Sequence, residues 1–327
     1  MKTKKKLLLP ATMARAGWDV LKKREDVEAV AYEASIATPA FHVLLRDVHG
    51  VALGLTPFGE AELKAAPNLR VVARHGVGYD TVDVAALTRH NVPLMVTGIA
   101  NSPSVAEQAL FFMLALAKRG ASLHAMVKEA RWGERLSELP VDLFGKTLLV
   151  IGFGRVGTRT AKFCVALGMT VLVYDPYVRA ETIAGAGCSP ISDLNAALPR
   201  ADFVTIHCPK TDETRGMFDA ACLARLKPTA YVVNTARGGI IDETALHAAL
   251  TDGALAGAGL DVFDREPPSP DNALLGLPNV ITAPHMAGVT KESFDRMAVA
   301  VATNLLDVLD GKPNMDHVVN KQVLAHR

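Results

Sequence analysis

Cysteine is scarce in this chain. Its four residues, Cys164, Cys188, Cys208 and Cys222, form no CxxC pair. That excludes a disulfide-stapled scaffold and a zinc framework, and no metal site is expected. An excess of either charge is also missing. With 35 basic against 34 acidic residues and no dominant basic patch, nothing marks a nucleic-acid partner. Long hydrophobic runs are lacking too. The longest helical apolar stretch, Ala109 to Ala117, is far short of a membrane span. The three leucines before Pro10 are too few for the apolar core of a signal peptide behind the basic start. Low-complexity segments and short solenoid-type repeats do not occur. The expectation is a cytoplasmic protein with reduced thiols and neither a membrane nor a nucleic-acid partner.

What is present is a regular alternation of strand and helix signals. Short apolar runs at 6–9, 41–45, 70–73, 93–96, 147–151, 170–174, 202–206, 230–234, 256–260 and 279–282 read as strands, with helical patterns between most of them. Such alternation implies parallel sheets covered by helices, an α/β fold. Ten strands are more than one ordinary domain uses, and 327 residues suit two. A long helix is expected from Ser102 or Ser104, either of which can cap it, through Arg119. The tail carries another helical pattern that stops at Gly311-Lys312-Pro313. Chain ends often lie near each other on a domain, so the tail is expected to return to the first sheet. The expected architecture is therefore two doubly wound parallel-sheet domains. One is central and of Rossmann type, over 102–289. The other is discontinuous and flavodoxin-like, over 1–101 and 290–327.

The run 146–157, KTLLVIGFGRVG, ends an apolar strand in a glycine turn and opens a helix. In that setting Gly152 permits the tight turn. Gly154 lets the backbone approach a pyrophosphate seated on the helix N-terminus, and Gly157 lets the helix pack closely. Asp175 ends the next apolar run, Thr170 to Tyr174. A carboxylate there accepts hydrogen bonds from the ribose hydroxyls of NAD and repels the 2′-phosphate of NADP. The plainer reading is that Asp175 only starts the turn at Pro176.

In a doubly wound sheet, ligands bind beyond the carboxyl ends of the strands. The later strands are followed there by His207-Cys208-Pro209, by Thr235-Ala236-Arg237-Gly238-Gly239, by Asp261 and then Glu266, and by Pro284-His285. A nicotinamide enzyme acting on a hydroxy or keto acid needs a cation for the carboxylate, a proton donor at the carbonyl oxygen and a group that tunes the donor. Arg237 can grip a carboxylate through its planar fork. Histidine titrates nearest neutral pH, which suits His285 as proton donor and acceptor. Glu266 can bond one ring nitrogen and favour the protonated form. Taken singly, each has an ordinary reading as a surface arginine, a structural histidine or a charged loop. His207 reads as structural, and Cys208 as lining the cofactor site without reacting. In the first domain, Gly76-Val77-Gly78 forms another turn after a strand and can present N–H groups to a carboxylate. His75 beside it receives no role.

The motifs GFGRVG (152–157), NTARGGIID (234–242), GLDVFDREPP (259–268) and PHMAG (284–288) together resemble the D-isomer-specific 2-hydroxyacid dehydrogenases, over nearly the whole chain. That group includes phosphoglycerate dehydrogenase and glyoxylate/hydroxypyruvate reductase. The resemblance implies an NAD-dependent oxidoreductase that interconverts a D-2-hydroxy acid and its 2-keto acid, with catalytic Arg237, Glu266 and His285. It implies NAD contacts from Arg155 and Val156 beside Gly152, Gly154 and Gly157, from Asp175, Cys208 and Pro209, from Thr235, Ala236 and Arg237, and from Asp261 and His285. It implies a substrate-carboxylate loop at Gly76, Val77 and Gly78, working with Arg237, and a homodimer formed around the helix from 102. Arg46, Arg74 and Arg135 stand roughly where phosphoglycerate dehydrogenases place arginines for the substrate phosphate, so a phosphorylated and an unphosphorylated substrate both stay open. Formate dehydrogenases carry Gln where this chain has Glu266. The chain leaves no room for the C-terminal regulatory domain of many phosphoglycerate dehydrogenases, so serine feedback through one is not expected. The alternative function is that of the C-terminal-binding corepressors, which share the fold and use NAD to control assembly, although this chain lacks their long disordered flanks.

Overall fold

Parallel strands covered by helices on both faces must be apolar on both faces. In the computed structural model, which describes residues 4–325, such strands build two sheets in two compact units. Unit 1 comprises Met1–Asn101 and Gly288–Arg327, and unit 2 comprises Ser102–Ala287.

Unit 1 holds β1 (Lys5–Pro10), β2 (Val27–Tyr32), β3 (Gly50–Leu53), β4 (Val71–Arg74) and β5 (Leu94–Met95). They are all parallel, in the order β2-β1-β3-β4-β5. That is the order of a flavodoxin-like sheet. Side chains alternate across it: Leu7 and Leu9 join the core on one face and Leu8 the core on the other. The first of these cores is closed by the helix Lys291–Leu309, whose buried stripe runs through Met297, Ala298, Val301, Ala302 and Leu305. Thr290 caps that helix in reciprocal bonds with Ser293, and Gly311 lies just beyond its end at φ +74°. The chain then seals the exposed edge of β5. Val96 N–H donates to His317 O at 2.8 Å, Val319 N–H donates to Leu94 O at 2.9 Å, and Asn320 Oδ1 accepts from Leu94 N–H at 2.8 Å.

The run 41–45, expected as a strand, is instead helical and belongs to the helix Thr38–Leu45. Its aromatic and β-branched residues read as strand. Pro39 in the first turn favours a helical start, however, and Phe41 and Leu45, four apart, bury one stripe. Three strands had no counterpart among the expected runs: β2, β3 and, in unit 2, β8 (Ser189–Ile191). β2 lies at a sheet edge and carries the exposed Glu28. β3 has only four residues, and β8 is a short edge strand with two exposed positions.

Unit 2 holds β6 (Thr147–Ile151), β7 (Thr170–Tyr174), β8 (Ser189–Ile191), β9 (Phe203–Ile206), β10 (Tyr231–Asn234), β11 (Gly257–Leu260) and β12 (Val280–Thr282). The order is β12-β11-β10-β9-β6-β7-β8, again all parallel. The chain starts in the middle, winds one way through β8, and resumes on the other side of β6 with β9. The switch point therefore lies between β6 and β9, where ligands of this architecture bind. Leu148 and Val150 face one core and Leu149 and Ile151 the other. The helix Ser102–Ala117, two residues shorter than expected, covers one face with Ala109, Phe112, Met113 and Leu116. Among the described residues no single helix is long and apolar enough to cross a membrane.

Candidate active site

The glycine turn after β6 is shaped by its neighbours. Gly152 sits at φ +88°, and a Cβ there would lie 2.7 Å from the Cys208 nitrogen. A Cβ on Gly157 would lie 2.0 Å from the Gly152 carbonyl oxygen. The helix Arg155–Ala166 thus starts directly on the turn, and only glycine permits both approaches. A Cβ on Gly154 would meet no protein atom within 4 Å. The space in front of the helix N-terminus stays clear there, as an anion on those N–H groups requires.

Asp175 follows β7 and is held rigidly. Phe153 N–H donates to its Oδ2 at 2.7 Å and Tyr177 N–H to its Oδ1 at 2.9 Å. The carboxylate is thereby fixed against the glycine turn with lone pairs left to accept from a ribose. Cys208, after β9, is a thiol pushed up to about 11 by burial, so it is no nucleophile at neutral pH. His207 beside it is pushed down to about 3 by burial. Its Nε2 lies 3.0 Å from Thr205 Oγ1, while its Nδ1 is buried with no hydrogen-bond partner. It is a neutral interior residue.

After β10, Asn234 organises the next turn. Its Oδ1 accepts from Ala236 N–H at 3.0 Å and its Nδ2 donates to Arg237 O at 2.9 Å. Arg237 is half-buried, and its Nη1 donates to Ala236 O at 2.6 Å. Thr235 Oγ1 is buried at this rim without a hydrogen-bond partner in the protein. After β11, the buried Asp261 grips the loop that follows β12. Its Oδ1 accepts from Met286 N–H at 2.8 Å, its Oδ2 from Ala287 N–H at 2.9 Å, and its backbone oxygen from His285 N–H at 2.8 Å. Burial pushes its carboxyl up, and the two N–H donors oppose that shift. Three bonds hold His285 at φ +54°, a left-handed conformation that costs a non-glycine residue about 1 kcal/mol or more. Glu266 Oε2 lies 2.6 Å from His285 Nδ1, and Glu266 Oε1 accepts from Phe263 N–H at 3.1 Å. Both side chains are partly exposed, so a substrate can reach them.

Known proteins carry the same framework. Residues 110–287 match the family model described as D-isomer specific 2-hydroxyacid dehydrogenase, NAD binding domain. A glyoxylate reductase of Korarchaeum cryptofilum is 38% identical over 85% of this chain and 84% of its own. The chain belongs to the D-isomer specific 2-hydroxyacid dehydrogenases. A D-3-phosphoglycerate dehydrogenase of Archaeoglobus fulgidus is 41% identical over 77% of this chain and 47% of its own. The chain spans about half the length of such phosphoglycerate dehydrogenases. A solved D-lactate dehydrogenase from Aquifex aeolicus, complexed with NAD and lactic acid, superposes with a TM-score of 0.84 at 27% identity, covering 96% of this chain and 99% of that one.

NAD is the cofactor of this domain family, and the residues present fit it. The cleared helix N-terminus, the fixed Asp175 and the unpartnered Thr235 hydroxyl are three separate features of one rim that a dinucleotide would satisfy. Among the described residues, no three His, Cys, Asp or Glu side chains gather as a metal-holding group. The Gly76-Val77-Gly78 turn belongs to unit 1, after β4. Gly76 lies at φ +133° and its carbonyl oxygen accepts from Thr97 N–H at 3.1 Å. His75 before it is pushed down to about 4, chiefly by burial and then by Arg74. Its ring packs edge-on against Phe294 with centroids 4.9 Å apart, and its Nε2 is buried without a partner. Arg74 Nη1 donates to the carbonyl oxygens of His75 at 2.6 Å and Leu53 at 3.3 Å. Arg46 is exposed at the end of the helix Thr38–Leu45, and Arg135 lies over the Trp132 ring at 5.8 Å in unit 2. The organising role of Asn234 escaped the sequence reading. The available signal was an Asn at a strand end, two residues before a backbone N–H it can bind.

Proposed function

We propose that this protein is an NAD-dependent oxidoreductase interconverting a D-2-hydroxy acid and its 2-keto acid. The observation that carries the reading is the 2.6 Å contact of His285 Nδ1 with Glu266, on the same strand-end rim as Arg237. Arg237 grips the substrate carboxylate through its planar fork. The Gly76-Val77-Gly78 turn can present backbone N–H groups to a carboxylate. Gly152–Gly157, Asp175, Cys208, Pro209, Thr235, Ala236 and Asp261 would hold NADH, which when bound would supply a hydride for the carbonyl carbon. In reduction, protonated His285 releases its Nε2 proton to the carbonyl oxygen, while Glu266 on Nδ1 stabilises the imidazolium and fixes the ring. In oxidation, the neutral ring takes the hydroxyl proton. Asp261 keeps the His285 loop in place.

The protein acts as a homodimer in this reading. Unit 2 exposes Phe111, Trp132, Leu136, Leu139 and Phe144, each more than half accessible, an apolar set that a second copy would cover. Sedimentation or light scattering at working concentration tests this, and a monomer would overturn it.

The decisive experiment follows NADH oxidation with a panel of 2-keto acids that includes glyoxylate, hydroxypyruvate, phosphohydroxypyruvate and pyruvate. A saturable rate with at least one is expected. Silence with all of them, in protein that binds NADH, would overturn the proposal. The same panel separates phosphorylated from unphosphorylated substrates.

A further inference from the structure

The helix Glu243–Thr251 opens a few residues after the turn that carries Arg237, beyond the bridge residue Ile241. Asp242 caps it, with Oδ1 accepting from Thr244 N–H at 2.9 Å and Ala245 N–H at 3.0 Å. Glu243 is therefore not needed as a cap, and its carboxylate reaches toward the loop after β11. Its Oε1 accepts from Asp264 N–H at 2.6 Å and its Oε2 from Asn272 Nδ2 at 2.8 Å. Asp264 lies next to Phe263, whose N–H bonds Glu266 Oε1, and two residues before Glu266 itself. The same two segments touch at Gly238, where a Cβ would fall 1.8 Å from the Phe263 carbonyl oxygen. Glu243 thus pins the segment that carries Glu266 against the segment that carries Arg237.

The arrangement has an electrostatic cost. The Asp264 carboxyl is pushed up by burial and then by the charge of Glu243. The two donors that Glu243 accepts from, and its place in the first turn of its helix, offset that repulsion. A neutral side chain would lack the second acceptor oxygen that Asn272 uses.

We propose that Glu243 is a positioning residue that holds the Glu266 loop, and through Glu266 the His285 ring, in working register with Arg237. The inference rests on the assignment of those three residues given under Proposed function. Glu243 touches neither the glycine turn nor Asp175, so its removal is expected to act more on the chemical step than on cofactor binding.

The test compares Glu243→Ala, Glu243→Gln and the pair Glu243→Gln/Asn272→Asp, using the best keto acid of the panel and NADH titrated by fluorescence. Misplacing a catalytic group by about 1 Å costs on the order of 100-fold, so Glu243→Ala is expected to lose kcat by about 10- to 100-fold. NADH affinity and the KM for the keto acid should stay within about 2-fold. In Glu243→Gln the amide keeps the bond from Asp264 but turns an N–H toward Asn272. The paired Asn272→Asp supplies an acceptor for it and should recover most of the lost kcat. Wild-type kcat in Glu243→Ala would overturn the brace, as would equal losses in kcat and NADH binding with no recovery in the pair. If Glu243→Ala is fully active while His285→Ala is dead, the brace fails and the functional reading stands. If His285→Ala is fully active as well, the functional reading fails with it.

Discussion

The two sheets place a glycine turn at a strand's carboxyl end, yet they equip that end with different chemistry. In unit 2 the rim is lined with ionisable side chains that are tied down: Asp175 by two N–H groups, Asp261 by two more, and Glu266 by Phe263 and His285. In unit 1 the Gly76–Gly78 turn offers mainly backbone. The histidine beside it is half-buried, with its Nε2 shielded, and kept neutral, and the arginine before it spends hydrogen bonds on main-chain carbonyls. In the proposed function one rim moves a proton and the other presents fixed dipoles. Parallel-sheet architecture supplies the place for a site in both, but only the residues that follow each strand decide what the place can do.

That contrast can be broken at several points. The largest effect is expected at the proton-handling group. His285→Ala should lower turnover by about 100- to 10,000-fold, the usual worth of general acid–base catalysis. NADH affinity, read by fluorescence titration, should change little. Comparable turnover in the variant would remove the distinction between the two rims.

The glycines come next. Alanine at Gly157 would drive a Cβ to 2.0 Å from a backbone oxygen that has nowhere to go. It should destabilise the protein by about 3 kcal/mol or more in denaturant unfolding. Alanine at Gly154, which meets nothing within 4 Å, should leave stability within about 0.5 kcal/mol and still weaken NADH binding. Alanine at Gly76, at φ +133°, should fall between, at about 1–3 kcal/mol of backbone strain, without loss of NADH affinity. Equal behaviour of the three would show that the turns are not specialised.

The last handle is pH, where the loss builds up gradually. His75 in unit 1 and His207 in unit 2 are pushed below 6.5, to about 4 and about 3. The unfolded chain binds protons that the folded protein refuses, so stability is complete above pH 6.5 and falls as the pH drops below it. Each ring should cost about 1.4 kcal/mol per pH unit. The loss from His75 should end near pH 4 and that from His207 near pH 3. Replacing His207 with Asn should flatten the acid limb of a urea-midpoint profile more than replacing His75. An unchanged profile in both variants would mean that neither ring is held neutral.

Much of this was legible along the chain. Strands buried on both faces, such as Leu148 to Ile151 and Val171 to Val173, are apolar throughout and stand out. The polar residues after them fall at one rim because parallel strands all end on the same side. The illegible parts share a physical cause. β8 has two exposed residues and β2 lies at an edge, so neither carries a continuous apolar signal. The helix over 38–45 hides its period in a run of β-branched and aromatic residues. Asn234, Glu243 and the Asp261 clamp act through backbone groups, and nothing in a side-chain pattern announces which N–H a carboxylate will find.

By itself the sequence determined the class of fold, the glycine turn with its acid at Asp175, and the set of reactive residues that follow the strands. It could do so because periodicity and turn chemistry are local properties of the chain. Tertiary structure alone decided the strand orders, the left-handed His285, the partner of each carboxylate and the neutrality of His75 and His207. Those depend on which distant segment arrives within hydrogen-bonding distance and on how much water is left between them.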